Sequence, residues 1–103
     1  MDLYFPTSTE IVQLLCGRLR DLRLAQQWTQ AELGRRAGVG LSTVSNLEAG
    51  RNVSFETVVK VAMVLGCAQE LGKLFEPQVN SIADIKRFEL AKSRKRIRER
   101  KDD

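Results

Sequence analysis

The sequence contains no histidine. That absence removes imidazole as a general base, the Ser-His and Cys-His nucleophile pairs, and any zinc cage built from Cys and His. Cysteine is scarce as well. Cys16 and Cys67 are too few for a four-thiolate site, and their apolar neighbours suggest buried free thiols, as expected in a reducing cytosol. No apolar run approaches the ~18 residues of a membrane span. The stretch Val61 to Leu65 is bounded by Lys60 and Gly66. No basic leader with an apolar core opens the chain, so a signal peptide is not expected. No GxxxxGK[ST] loop is present to cradle phosphates. The single Trp and single Tyr offer little for stacking on single-stranded RNA or DNA. The expectation is a cytoplasmic protein that is not an enzyme, with no cofactor, no metal and no membrane contact.

What remains is charge and helical period. The 103 residues carry 17 Lys+Arg against 13 Asp+Glu, a net charge of +4, in a length that suits one domain. The excess is not spread evenly. Residues 1–80 hold eight cations and eight anions, whereas residues 81–103 hold nine and five. The run from Lys92 to Lys101 has seven cations and one anion. Such a block reads either as a solubilising helix end or as a tail for polyanions.

Helix signals recur along the chain, and no strand-like alternation persists. Thr7 and Glu10 make a T-x-x-E capping box, followed by Val12, Leu15, Leu19 and Leu22 as an apolar stripe to about Gln26, with Leu24 and Trp28 at the exit. Thr29 and Glu32 make a second box, for a helix over Gln30 to Ala37 with Leu33 and Ala37 inward and Gly38 as its stop. A third helix is expected from Leu41 to Ala49, stopped at Gly50. Ser54 caps a fourth, with Phe55, Val58, Val61, Ala62 and Leu65 facing a core, and Cys67 to Phe75 forms a fifth. Gly34, Gly38, Gly40 and Gly50 all read as helix punctuation. Pro77 to Asn80 reads as a linker. Ser81 and Asp84 then cap a last helix, with Ile82, Ile85 and Phe88 on one side, that frays into the basic tail.

Two short helices joined by a tight glycine turn are the arrangement a helix-turn-helix requires. At ~100° per residue, Val44 and Leu47 fall on one inward face. Ser42 and Asn46 lie opposite, Ser45 at the edge, and Leu41 and Thr43 at the exposed N-terminal end. This outer face is short, polar and uncharged. It suits a major groove, where Asn pairs with adenine and Ser or Thr takes several partners. Gln30, opening the preceding helix, and Arg51, just past Gly50, are candidates for phosphate contacts.

The stretch from Arg18 to Gly72, about half the chain, resembles the lambda-repressor/Cro-like (Xre) helix-turn-helix family, and the residues that carry the resemblance are TQAELGRRAGVGLSTVSNLEAGR, Thr29 to Arg51, and SFETVVKVAMVLG, Ser54 to Gly66. The resemblance implies an all-α, five-helix DNA-binding domain (7–76) that dimerises and represses transcription at palindromic operators. By motif position it implies that Gln30 clamps backbone, that Leu41, Ser42 and Asn46 reach base edges, and that Arg23 and Glu48 form a structural ion pair. Leu41 departs from relatives that often carry a polar or basic residue there, and offers only apolar contact, as to a thymine methyl.

Residues 77–103 are expected to be a linker and a basic helical extension. A domain ending in LGKLFEP and followed by such a helix is similar to HipB-type antitoxins, which implies a HipA-like kinase toxin as a partner. The alternative is a protein-interaction module that mainly binds and inhibits a partner. The surface of the fourth and fifth helices, with Met63, Val64, Leu71, Leu74 and Phe75 beside Phe55, Val58 and Leu65, is the expected dimer interface.

Overall fold

The computed structural model describes residues 6–51 and 53–101, with side chains as far as Lys95; residues 102–103 of the expected extension lie outside the described residues. Among these there are six helices and no strand: α1 (Ser8–Ala25), α2 (Gln30–Ala37), α3 (Leu41–Glu48), α4 (Phe55–Val64), α5 (Ala68–Lys73) and α6 (Ile82–Lys101). Backbone packing groups the chain into two units, Met1–Lys73 and Leu74–Asp103. No helix among the described residues is long and apolar enough to cross a membrane.

The helix starts follow their local chemistry. Thr7 accepts from the Glu10 amide while Glu10 reaches back to the Thr7 amide, a complete capping box. At α2 only half of the expected box forms. Thr29 accepts from the Glu32 amide at 3.0 Å, but the Glu32 carboxylate is taken by Arg35 and, at 2.8 Å, by Arg36. The hydrogen bond from Arg35 is the main reason that this carboxyl titrates below its usual range. Ser54 caps α4 through the Thr57 amide.

The helix ends share one device. After α1, α3 and α4 the chain closes with paired backbone hydrogen bonds around a residue of positive φ: Gln27 (61°), Gly50 (71°) and Gly66 (89°). Gln27 is the exception in this set, a side chain held where glycine is the usual choice.

Leu33, Val44, Leu47 and Val61 are fully buried, with Leu19, Ala62 and Leu65 around them. Trp28, Val58, Cys67 and Leu71 pack against this centre. The apolar stripe expected on α1 is corrected. Its buried residues are Cys16, Leu19 and Arg23, while Val12, Leu15 and Leu22 stay exposed, as does Leu24. At ~100° per residue, Leu15 and Leu22 point about 100–120° away from Cys16, and an arginine occupies the inward place that a leucine was expected to take. Val12 shares the inward face but lies at the open end of the helix. There, with Leu15, Cys16, Val53, Phe55 and Val58, it lines an apolar groove of about 420 Å³. Phe55, expected in the core, is 65% exposed because it starts α4, beyond the reach of the central cluster.

Both cysteines are free, Cys16 buried and Cys67 half-buried, and burial pushes both thiols upward in pKa. The expected interface on α4 and α5 is partly consumed inside the domain. Leu65 is buried and Val64 and Leu71 pack on the core, whereas Met63 remains exposed. The fifth helix is shorter than expected. It ends at Lys73, and Phe75 lies beyond it with φ 59° and 88% exposure.

In the second unit, Ser81 accepts from the Asp84 amide and opens α6 as expected. The helix does not fray into the basic run but continues to Lys101. No Gly or Pro interrupts Ile82 to Lys101, and Ala, Leu, Glu, Lys and Arg predominate, all strong helix formers. Ile82, Ile85 and Leu90 are exposed along it, while Phe88 is half-buried.

Candidate nucleic-acid interface

The centre of the site is a close approach between α2 and the turn that follows it. Gly34 is not punctuation but a contact point. A Cβ there would stand 2.7 Å from the Val39 carbonyl oxygen and 3.4 Å from Val44 Cγ2. Glycine lets the turn fold back onto α2, Gly38 reverses the chain at φ 73°, and Gly40 starts α3 with no side-chain cap. Val44 and Leu47 then anchor α3 at zero exposure.

The opposite face of α3 is presented outward. Leu41 (56% exposed) and Ser42 are open to solvent, and Thr43, Ser45 and Asn46 are half-buried. No charged residue lies among these five. Arg51 follows past the cap, exposed, and its Nη1 donates to Asn46 Oδ1 at 3.1 Å. The face therefore ends in a joined amide and guanidinium.

Beneath α3 lies a buried ion pair. Arg23 Nε donates to Glu48 Oε2 at 2.6 Å and Nη2 to Oε1 at 3.0 Å, while Nη1 donates to the Trp28 carbonyl at 2.7 Å. The two side chains are 8% and 3% exposed. Gln30 Nε2 donates to the same Glu48 Oε1 at 3.0 Å. One carboxylate thus gathers α1, α2 and α3. Burial alone would push the Glu48 carboxyl up, but hydrogen bonds from Arg23 and Gln30, with the charges of Arg23 and Arg20, outweigh it and hold the group below its usual range. Among the described residues no buried side-chain nitrogen or oxygen lacks a partner.

The structure thus brings Gln30 and Arg23 together at Glu48, and joins Asn46 to Arg51 at the same C-terminal end of α3. Gln30, expected to be available for a phosphate, already spends one amide hydrogen on Glu48 and has a second to offer. Two contributors were not read from the sequence. Gln13 Nε2 donates to the Ala49 carbonyl at 3.2 Å and closes the end of α3 from α1. The Trp28 carbonyl is the third acceptor for Arg23. Neither carries a local sequence signal: Gln13 meets its partner 36 residues away, and a backbone carbonyl has no residue code.

On the far side of α2, the Arg36 guanidinium lies 4.3 Å from the Trp28 ring centroid. It joins the ring to the Glu32–Arg35 cluster.

No curated protein matches the chain. Residues 19–68, from within α1 to the first residue of α5, match the helix-turn-helix family model, of the Xre/lambda-repressor-like kind.

Proposed function

We propose that the chain is a sequence-specific DNA-binding transcriptional repressor that acts as a dimer on a palindromic operator. The observation that carries this reading is the neutral polar face of α3, held outward by two fully buried anchors and by a turn packed on Gly34. An α-helix with such a face fits the major groove, where short polar side chains read base edges. In this reading Ser42, Thr43, Ser45 and Asn46 make the polar base contacts and Leu41 meets a thymine methyl. Gln30 and Arg51 reach phosphates that fix the register. The Arg23–Glu48 pair touches no DNA; it keeps Gln30 and α3 in one geometry.

One short helix contacts too few base pairs for useful selectivity, which is why a two-fold dimer is part of the proposal. The test is selection of bound duplexes from random DNA. Enriched sequences should form two inverted half-sites about one turn, ~34 Å, apart. A pool that never departs from random would refute sequence reading, and an asymmetric single site would refute the dimer.

A second reading is favoured by α6. This basic helix exposes Ile82, Ile85 and Leu90 among its charges, a surface suited to a protein partner. The partner in this reading is a HipA-like kinase toxin, and the protein is its autoregulating antitoxin. Loss of complex formation with such a kinase encoded beside this gene, on removal of residues 77–103 and with operator binding retained, would support it.

A further inference from the structure

An asparagine can present either end of its amide to a base, and the two ends read different patterns: the oxygen accepts and the NH₂ donates. In this chain Arg51 makes that choice. A guanidinium carries donors only, so its 3.1 Å contact requires Oδ1 of Asn46 to face it and turns Nδ2 the other way.

The contact is built into the backbone. At the end of α3 the Gly50 amide donates to the Leu47 carbonyl and the Arg51 amide to the Asn46 carbonyl, both at 2.9 Å, with Gly50 at φ 71°. This closure brings together the residue at the start of the last turn and the residue two beyond the cap, a pair that commonly makes an apolar contact. Here the pair is an amide and a guanidinium, joined through backbone and side chain alike. Gln13 clamps the Ala49 carbonyl in the same turn, and a Cβ on Gly50 would collide with its amide group. Asn46 and Arg51 therefore meet because the chain reversal places them together.

We infer that Arg51 is a positioning residue for base reading by Asn46, setting the amide so that this position selects adenine. This rests on the proposal that α3 reads bases. The amide oxygen has two lone pairs, so the bond to Arg51 leaves one for the exocyclic amine of adenine while Nδ2 donates to N7. Guanine would set its O6 acceptor against Oδ1. Turning the amide over, so that NH₂ meets O6, would set Oδ1 against the N7 acceptor and two donors, NH₂ and guanidinium, against each other. Arg51 in this role supplies discrimination at a base it does not touch, in addition to any charge it brings to the backbone.

The test uses the full chain and the duplex motif selected from random DNA. Each base pair of a half-site is replaced in turn, and binding is measured for the wild type, Asn46→Ala, Arg51→Ala and the double variant, with random duplex alongside. The position whose preference collapses in Asn46→Ala identifies the base pair beneath it. That base should be adenine, and Arg51→Ala should weaken the preference at the same position by at least about fivefold, the low end of one bidentate contact. The double variant should lose little more than either single one. Trp28 fluorescence melts establish that each variant folds.

If Arg51→Ala weakens every duplex by the same factor and leaves all preferences intact, Arg51 is a phosphate contact only. The inference then fails while the proposed function stands. A collapse at a different position, or a base other than adenine beneath Asn46, also overturns it. Selection that enriches no motif overturns the function and the inference together.

Discussion

Replacing Glu48 by glutamine tests the buried centre that joins α1, α2 and α3. Arg23 is 7% exposed, and two of its three hydrogen bonds go to the Glu48 carboxylate. Without that charge the guanidinium stays buried with neutral acceptors alone. Breaking a buried pair from one side costs ~3–5 kcal/mol. Glutamine keeps one acceptor oxygen, which places Glu48→Gln at the lower end, about 3 kcal/mol. In a domain of this size that lowers Tm by about 12–24 °C. The assay is urea unfolding at neutral pH followed by the fluorescence of Trp28, the sole tryptophan. Arg23→Met combined with Glu48→Leu should recover most of the loss, because no charge is then left buried. A cost below ~1 kcal/mol for Glu48→Gln, or a double variant less stable than the single one, would refute the view that this pair is desolvated and mutually dependent.

The same pair makes stability depend on pH. The folded-state pKa of Glu48 is depressed, so its contribution is complete above the unfolded value of ~4.3 and is lost as pH falls through the folded value. Wild-type stability should therefore fall below about pH 5, and the Glu48→Gln curve should be flatter over that interval.

Gly34→Ala should cost about 1–3 kcal/mol in urea unfolding, because a backbone oxygen 2.7 Å from the new Cβ cannot rotate away as a side chain would. An unchanged midpoint would show that the turn yields freely. Gln27→Gly should raise stability by about 0.5–1 kcal/mol, relieving a left-handed side chain at φ 61° net of the flexibility glycine adds to the unfolded chain; a lower urea midpoint would count against it. Deleting Lys92 to Asp103 removes seven cations and three anions, net +4. If this run meets DNA, binding to selected and random duplexes should weaken alike, and the salt dependence should flatten by ~0.9 log unit for each phosphate no longer neutralised. An unchanged slope would show that the run neutralises no phosphate.

The parts of the fold readable from sequence are those fixed within a few residues. Thr7 with Glu10, Ser54 before α4, and the stops at Gly38, Gly50 and Gly66 depend on backbone groups three or four positions away. The inward phase of Val44 and Leu47 is equally local. The errors arise where distant residues decide. Arg23 takes an inward position on α1 because Glu48, 25 residues on, and the Trp28 carbonyl satisfy it, and no periodicity rule anticipates a buried cation. Glu32 leaves its capping role because two arginines one turn ahead compete for it. Gly34 looks like a stop until the turn is seen to fold against it. At the site, the candidate residues are legible one at a time, but the joining of Asn46 to Arg51 emerges only when the reversal at Gly50 is built in three dimensions.

The apolar groove beside Val12, Leu15 and Phe55 bears on how unfolding of this chain can be observed. Naphthalene-sulfonate dyes brighten on clustered apolar surface, and their signal is commonly taken to mark a loosened, partly folded state. Here the ordered domain already offers such a surface. Dye emission should therefore be appreciable from the native chain and pass through no sharp onset as tertiary packing is lost. In dye-reported thermal scans the pre-transition baseline will be high and the apparent midpoint displaced. Near-ultraviolet dichroism or the emission of Trp28 reports packing directly and is the sounder observable for this molecule.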